Sequence, residues 1–374
     1  MVENIKVEKS EYMLFAASTQ EQKQRAWEES AEAWGIPFLT VEQYIKRKNL
    51  LSQQPFHIKN CTTWLYGKAE DFHKDPNTLN FLSHCETFDK KALIREAGKR
   101  TVSEANCKTV AAVFCKKEYR GNGYASNMMS ALSNYIKKTA KVSNLYSDIG
   151  PGFYSRYGWK TYPSKYTEIS VSSKNKDHVF ESNNTTSFIN RNTAKMFIEA
   201  DAIHLKKELE NAPVSQKLQF IIIPTTDVFE WRWARDENEN FQVNNEYLSS
   251  DIFGVFLDAN FSLDTLLDQN LNAKIPSFII WSTRIRKNHI QVLRARFNNI
   301  EDVVPLLMAT ICYANANYIP KIILWNLKQE HSDIIESVFN SESKELKTTL
   351  PCVSLYPEET ECSEWLVNEN YCWA

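Results

Sequence analysis

One junction constrains this chain more than any other feature: a short apolar strand runs into a side-chain-poor loop, and the loop runs into a helix. Lys108 to Cys115, "KTVAAVFC", is an apolar, β-branched run of strand length. Arg120-Gly121-Asn122-Gly123-Tyr124-Ala125 follows, after which Met128, Met129, Leu132, Tyr135 and Ile136 recur at helical spacing. With two glycines where bulky side chains would crowd the backbone, consecutive amide N–H groups can converge on one external point. At a helix N-terminus such a nest suits an anion, because unsatisfied donors and the helix dipole both favour negative charge. The alternative is a glycine turn that merely enters a core helix.

A Walker phosphate loop ends in Gly-Lys-Ser/Thr, and the dinucleotide fingerprint needs Gly-x-Gly-x-x-Gly. The loop here supplies neither. Downstream, "LYSDIGPGFYSRYGW" (Leu145 to Trp159) reads as a short strand, a turn and one or two turns of helix. Pro151 sits where a first helical turn tolerates proline, since its missing N–H is an orphan there anyway.

The Arg-x-x-Gly-x-Ala spacing after a strand resembles the pyrophosphate loop of the GCN5-related N-acetyltransferase (GNAT) superfamily, whose consensus is Arg/Gln-x-x-Gly-x-Gly/Ala. "FYSRYGW" resembles the Phe-Tyr-x-x-x-Gly-Phe that these enzymes carry shortly after the next strand, with Trp for Phe. Together with "SHCETF" (Ser83 to Phe88) and the closing "WLVNENYCWA", the whole chain resembles the fungal L-lysine N6-acetyltransferase family and its uncharacterised yeast relatives. Lys117 departs from the superfamily pattern, where many members have proline before Glu-Tyr-Arg.

The resemblance implies an α/β fold with a mixed sheet, acetyl-CoA as cosubstrate, no metal, and a small-molecule amine acceptor, L-lysine first. It places Val113, Phe114 and Cys115 along the pantetheine. The amides of Gly121, Asn122, Gly123, Tyr124 and Ala125 then meet the pyrophosphate, with Arg120 near its charge. Lys116 and Lys117 either help with outer phosphates or are simply solvated. Tyr154 is the expected proton donor to the departing thiolate: a phenol of pKa ~10 can donate to a sulfur that becomes strongly basic only as it leaves. Tyr157 is the lesser candidate.

The amine must also lose a proton. Glu86, flanked by Cys85 and Phe88, is the expected general base, with partial burial raising its pKa. Asp148 is the alternative, or else a brace of the turn. Free lysine further needs an arginine or amides for its carboxylate. "EWRWARDENE" (Glu230 to Glu239) offers Arg232 and Arg235 beside Trp231 and Trp233, either closing over the site or forming an amphipathic core helix.

At 374 residues with 43% hydrophobic side chains, the chain is long enough for two cores. The expected division is a GNAT acetyl-CoA-binding catalytic domain at 1–170, a polar linker at 171–187, and a second α/β domain at 188–374. That second part carries helix and strand patterns in an order that a degenerate GNAT-like copy explains, serving substrate or interaction. In the first part, Ser18 with Glu21 and Thr40 with Gln43 read as capping boxes opening two helices.

A formal charge of −2 offers no general grip on nucleic acid. No apolar run approaches the ~20 residues of a membrane span, and "MVENIKVEKS" lacks a signal-peptide core. The expectation is therefore a cytoplasmic protein, the nucleus also open, that engages neither nucleic acid nor membrane. Its eight cysteines, without Cys-x-x-Cys or histidine at zinc spacing, read as reduced thiols. Besides acetylation of a small amine, two functions stay open: a protein or peptide acetyltransferase, and a non-catalytic acyl-CoA-binding interaction protein.

Overall fold

The computed structural model describes residues 11–171, 186–244, 251–257, 266, 275–356 and 363–373. The first strand, β1 (Tyr12–Ala16), leads into α1 (Gln20–Trp34) and α2 (Val41–Ser52). The capping box of α2 is Thr40 with Gln43, as its sequence predicts. That of α1 lies one residue later than Ser18 and Glu21: Thr19 is the N-cap and Gln22 its partner. The physical reason is the amide of Gln22, which accepts from Ser18 N at 2.8 Å while donating to the carbonyls of Pro76 and Thr78 at 3.0 and 3.1 Å. An ionised glutamate cannot donate to those carbonyls.

Next come α3 (Pro55–Asn60), β2 (Cys61–Lys68), α4 (Ala69–Lys74), β3 (Ser83–Arg95) and β4 (Val102–Cys115). The expected strand–loop–helix then runs from β4 into α5 (Tyr124–Thr139). β5 (Val142–Ser147), α6 (Gly152–Ser155), β6 (Lys160–Thr161) and β7 (Lys165–Ser170) follow. The later half contributes β8 (Thr186–Asn190), α7 (Arg191–Asn211), β9 (Leu218–Ile222), α8 (Thr226–Asn244) and β10 (Ile252–Leu257). It continues with β11 (Phe278–Arg284), β12 (His289–Arg296), α9 (Val303–Ala316), β13 (Lys321–Trp325) and α10 (Gln329–Phe339). β14 (Ser343–Glu345), β15 (Leu350–Leu355) and β16 (Ser363–Trp365) close it.

These strands form two mixed sheets. The first runs β1-β2-β3-β4-β5-β15-β6, with β9 added to the far end of β3 and β16 to β9. The second runs β14-β7-β13-β12-β11-β10-β8. The sheets therefore do not divide at residue 170. β7, on the early side, pairs with β13 and β14, while β15 from the late side lies between β5 and β6. β9 adds a further late strand, pairing Ile222 to Gln219 with Ala92 to Arg95. Local composition cannot reveal such exchanges, because strand partners are chosen by long-range packing. The linker expected at 171–187 falls almost wholly at 172–185, outside the described residues.

The packing follows the exchange. One core places Met128, Met129 and Leu132 of α5 against Trp64, Cys85 and Leu145. A second collects Ile279, Ile290, Leu306, Ile311 and Ile322 beneath α9. Between them a third joins Ala92, Cys107 and Val142 to Phe197, Phe220, Trp233, Val353 and Tyr371. Within and beside it Tyr371 donates to the Ile222 carbonyl at 2.7 Å, and Asp201 binds Arg294 and Arg296 at 2.7 Å each.

A chain ending at Ser170 lacks β9, β15 and β16, so it bares an edge of β5 and much of the third core. Exposed apolar edges of this kind drive aggregation. The expected outcome is insoluble protein without a cooperative melt. A soluble, cooperatively melting fragment, measured by expression fractionation and circular dichroism, contradicts the strand exchange.

Candidate active site

The site begins where β4 parts from β5. The two pair in parallel only from Cys107–Val142 to Val110–Leu145, although β4 runs on to Cys115 and β5 to Ser147. On its other side β4 stays paired with β3, but the register slips: Glu86 faces Ala111 and His84 faces Phe114. The extra β4 residue is a bulge, and Ala112 takes the left-handed φ of 51° within it. Between Ala111 and Cys115, β4 thus has a strand on one side and an open edge on the other.

That edge leads into the glycine loop. Gly121 and Gly123 have φ of 85° and 80°, and a Cβ built on either meets nothing within 4 Å. The glycines serve backbone conformation and leave the space outside clear. Gly123 is the N-cap of α5 and makes no side-chain cap, which leaves first-turn amides for an external acceptor, while the Ala125 amide also reaches the Cys115 thiol. Arg120 is held beside them, its Nε donating to the Cys115 carbonyl at 3.0 Å and its guanidinium over the Phe114 ring. These residues fit an acyl-CoA, with the open β4 edge for the pantetheine amides and the α5 N-terminus for the pyrophosphate.

The expected cofactor contacts of Phe114 and Cys115 are mostly backbone ones, because both side chains are buried. Phe114 packs on His84 and Trp34, while Val113 is partly buried against the α5 core. Lys116 is turned away from a phosphate, its ammonium paired with the buried Glu29 of α1 at 2.6 Å, whereas Lys117 is solvated, as one of its two readings has it, and pairs at the surface with the exposed Glu32 at 2.6 Å. Asp148 braces the turn by accepting from Thr349 N and Oγ1 at 3.1 and 3.0 Å.

Tyr154, on α6, is buried beside Cys85 and among the α5 core residues. Burial, then Cys85 and Asp148, hold its phenol well above the ordinary value, so it stays protonated. Tyr157 is less buried and stacks edge-on against Phe153. Glu86 lies on the opposite face of β3, turned to α1 and α2. Its carboxylate takes Lys48 Nζ at 2.7 and 2.8 Å and Trp27 Nε1 at 3.0 Å.

This environment corrects the expectation of a raised Glu86 pKa. Burial does push the carboxyl up, but Lys48, His57 and the hydrogen bonds outweigh it and bring it down to about 2. His84 and His57 nearby are held neutral, at about 3 and about 4, mainly by burial. Sequence reasoning missed Lys48, Trp27 and His57: "IKRK" reads as an ordinary solvated helix face, and nothing in its spacing signals a buried partner. Among the described residues no cluster of histidine, cysteine or acidic groups could hold a metal, and the seven described cysteines are free thiols.

A parallel strand pair opened by a bulge, followed by a glycine nest at a helix N-terminus, defines a GNAT-fold acyltransferase that uses acetyl-CoA. Residues 101–162 match the family described as acetyltransferase (GNAT) domain. Residues 168–374 match the family described as LYC1 GNAT-like C-terminal domain, and the chain belongs to that family. A lysine acetyltransferase of Yarrowia lipolytica is 25% identical over 365 residues, covering 82% of each chain. The uncharacterized protein YGR111W of Saccharomyces cerevisiae is 29% identical over 162 residues, 35% of this chain and 40% of that one. Among solved structures, a probable N-acyltransferase of unknown function from Enterococcus faecalis superposes with a TM-score of 0.56 at 13% identity, covering 92% of this chain and 72% of that one. A GCN5-related N-acetyltransferase from Kribbella flavida gives 0.53 at 12% identity with the same coverage. These two likenesses show the fold.

Two outcomes follow from the geometry. Acetyl-CoA at ~100 times its dissociation constant stabilises the chain by ~2.7 kcal/mol, and Gly123→Glu, which places negative charge in the nest, abolishes the melting shift. Unchanged acetyl-CoA binding by that variant removes the loop from the site. The Glu86 pair contributes stability that is complete above the ordinary carboxylate pKa of ~4.3 and is lost as pH falls toward the folded value. Glu86→Gln, leaving Lys48 charged and unpaired, costs roughly 3–5 kcal/mol in denaturant melts at neutral pH. A change below ~1 kcal/mol contradicts a buried pair.

Proposed function

We propose that the chain transfers the acetyl group of acetyl-CoA to the side-chain amine of free L-lysine. The observation that carries the acyl-transfer geometry is the placement of Tyr154 and Glu86 on opposite faces of β3, beside the opening between β4 and β5. The lysine acceptor is supported by the relative named a lysine acetyltransferase, which is matched along most of both chains.

In this reading the thioester lies at the bulge, where backbone amides of the open β4 edge polarise its carbonyl. The amine attacks from the α1–α2 face; the C–N bond forms as the C–S bond breaks, and Tyr154 gives its proton to the leaving sulfur. Glu86, anionic at every working pH, is a poor proton store. Its part is to accept hydrogen bonds from the incoming amine or from a water that relays the proton outward. The rate at low substrate then rises with pH as the amine itself deprotonates, and no limb of the profile belongs to Glu86.

The experiment is to incubate purified protein and acetyl-CoA with lysine, with cadaverine and with a lysine-containing peptide, following thiol release and product mass. Lysine is the expected substrate, modified on its side chain. Tyr154→Phe lowers turnover ~10²–10⁴-fold with acetyl-CoA binding kept. Full turnover by that variant returns Tyr154 to packing. Equal rates for lysine and cadaverine, or preference for the peptide, reject the free-lysine acceptor.

A further inference from the structure

Where α2, the later turns of α8 and the end of β11 meet, the charges of the described residues do not balance. Arg47, Arg232, Arg235, Arg284, Arg286 and Lys287 gather around two carboxylates, Asp236 and Glu239. Both carboxylates are already occupied. Asp236 takes Arg235 at 2.7 and 3.0 Å and Ser282 Oγ at 2.6 Å, with Arg284 at 3.5 Å. Glu239 takes Arg47 on one oxygen and has Arg286 at 3.5 Å from the other. Arg232 turns to neutral acceptors, the Asn370 and Trp373 carbonyls and Asn370 Oδ1.

Donors are left over. Nε of Arg47 and Nε of Arg286 are buried without a hydrogen-bond partner among the described residues, and Nε of Arg284 and Nη1 of Arg286, also without one, reach only the carboxylates 3.5 Å away. The side chain of Arg47 is only 9% exposed and that of Arg235 6%. A guanidinium buried with donors unmatched is costly, and an anionic acceptor offsets that cost more than a neutral one. Mutual repulsion is visible at the rim: Arg284, then burial, brings the Lys287 ammonium down to about 8. The rings of Tyr44 and Phe38 lie 4.8 and 4.4 Å from the guanidinium carbons of Arg47 and Arg286, and a guanidinium fork is the group that a planar carboxylate matches.

We infer that this arginine cluster is a carboxylate-binding site whose occupant supplies the missing negative charge. Its position gives the occupant a role. Arg47 is the α2 neighbour of Lys48, the partner of Glu86. On α8, Trp231 packs on Phe88, two residues from Glu86, and Arg235 and Glu239 follow on the same face at one-turn intervals. From Trp231 to Glu239 is about 12 Å along the helix. Resting on the acyl-transfer reading above, the carboxylate is that of the acceptor, a molecule with an amine at one end of a short aliphatic chain and an acid at the other.

The test uses the full chain without acetyl-CoA and follows its melting temperature against 6-aminohexanoate, hexylamine and sodium chloride at matched ionic strength. Only 6-aminohexanoate stabilises saturably, and its half-saturating concentration rises roughly tenfold or more in Arg284→Gln and in Arg286→Gln. Both unliganded variants melt at or above the parent temperature, because each removes a surplus cation and leaves Asp236 and Glu239 paired. The acetyl-CoA melting shift is unchanged in both. Equal stabilisation by chloride, or lower melting of both unliganded variants, overturns the site and marks the arginines as structural.

A second arm separates the source of the carboxylate. KM for lysine rises in Arg286→Gln while KM for cadaverine does not, if the acceptor brings the acid. Equal effects on both amines overturn that assignment. Saturable stabilisation by 6-aminohexanoate, with no turnover of any amine, rejects the acyl-transfer reading and upholds the anion site.

Discussion

The pairing of β15 with β5 is the constraint on which the rest of the site depends. Leu350 to Leu355 run antiparallel to Ser147 to Val142 and hold β6 on their far side. The turn between β5 and α6 is tied to the same strand, since Asp148 accepts from Thr349 and a Cβ on Gly158 would meet Ser354 Oγ at 3.0 Å. Tyr154 is thus positioned by residues about 200 places away in sequence. β7 makes the reciprocal move into the second sheet. The later half is part of the framework that holds α6 and Tyr154 in place.

A division of electrostatic labour runs through the same framework. On one face of β3, burial keeps the phenol of Tyr154 protonated; on the other, Lys48 keeps Glu86 ionised. Burial acts on both in the same sense, disfavouring the charged form, and only Glu86 has a cation close enough to reverse it. The two groups therefore sit in opposite protonation states on either side of one strand. Among the described residues, arginines outnumber carboxylates around α8, whereas around Asp201 two arginines meet one aspartate with Glu208 and Glu369 at hand.

The legible parts of the sequence were those where function or folding is local. The glycine loop, the helix that it opens and the "FYSRYGW" turn lie within some fifty residues, and their backbone requirements are written in residue type: glycine where φ is positive, proline at a helix start. The Thr40 capping box is of the same kind. The α1 box was legible in kind but not in register, because what selects Thr19 and Gln22 is the pair of carbonyls at Pro76 and Thr78. The pKa of Glu86 departs from its sequence expectation for a related reason: its neighbours in the strand imply burial, whereas the cation that cancels it arrives from α2.

By itself, then, the sequence determined the class of this protein, an α/β acyltransferase with an anion nest at the N-terminus of one helix, because that chemistry needs particular backbone conformations at consecutive positions. The tertiary structure alone decided which strands share a sheet, which ammonium meets Glu86, and that the α8 arginines crowd together with Arg47, Arg284 and Arg286. Strand pairing and charge pairing are chosen by whichever distant groups packing brings together, and a residue's type records its capacity to pair but not the identity of its partner.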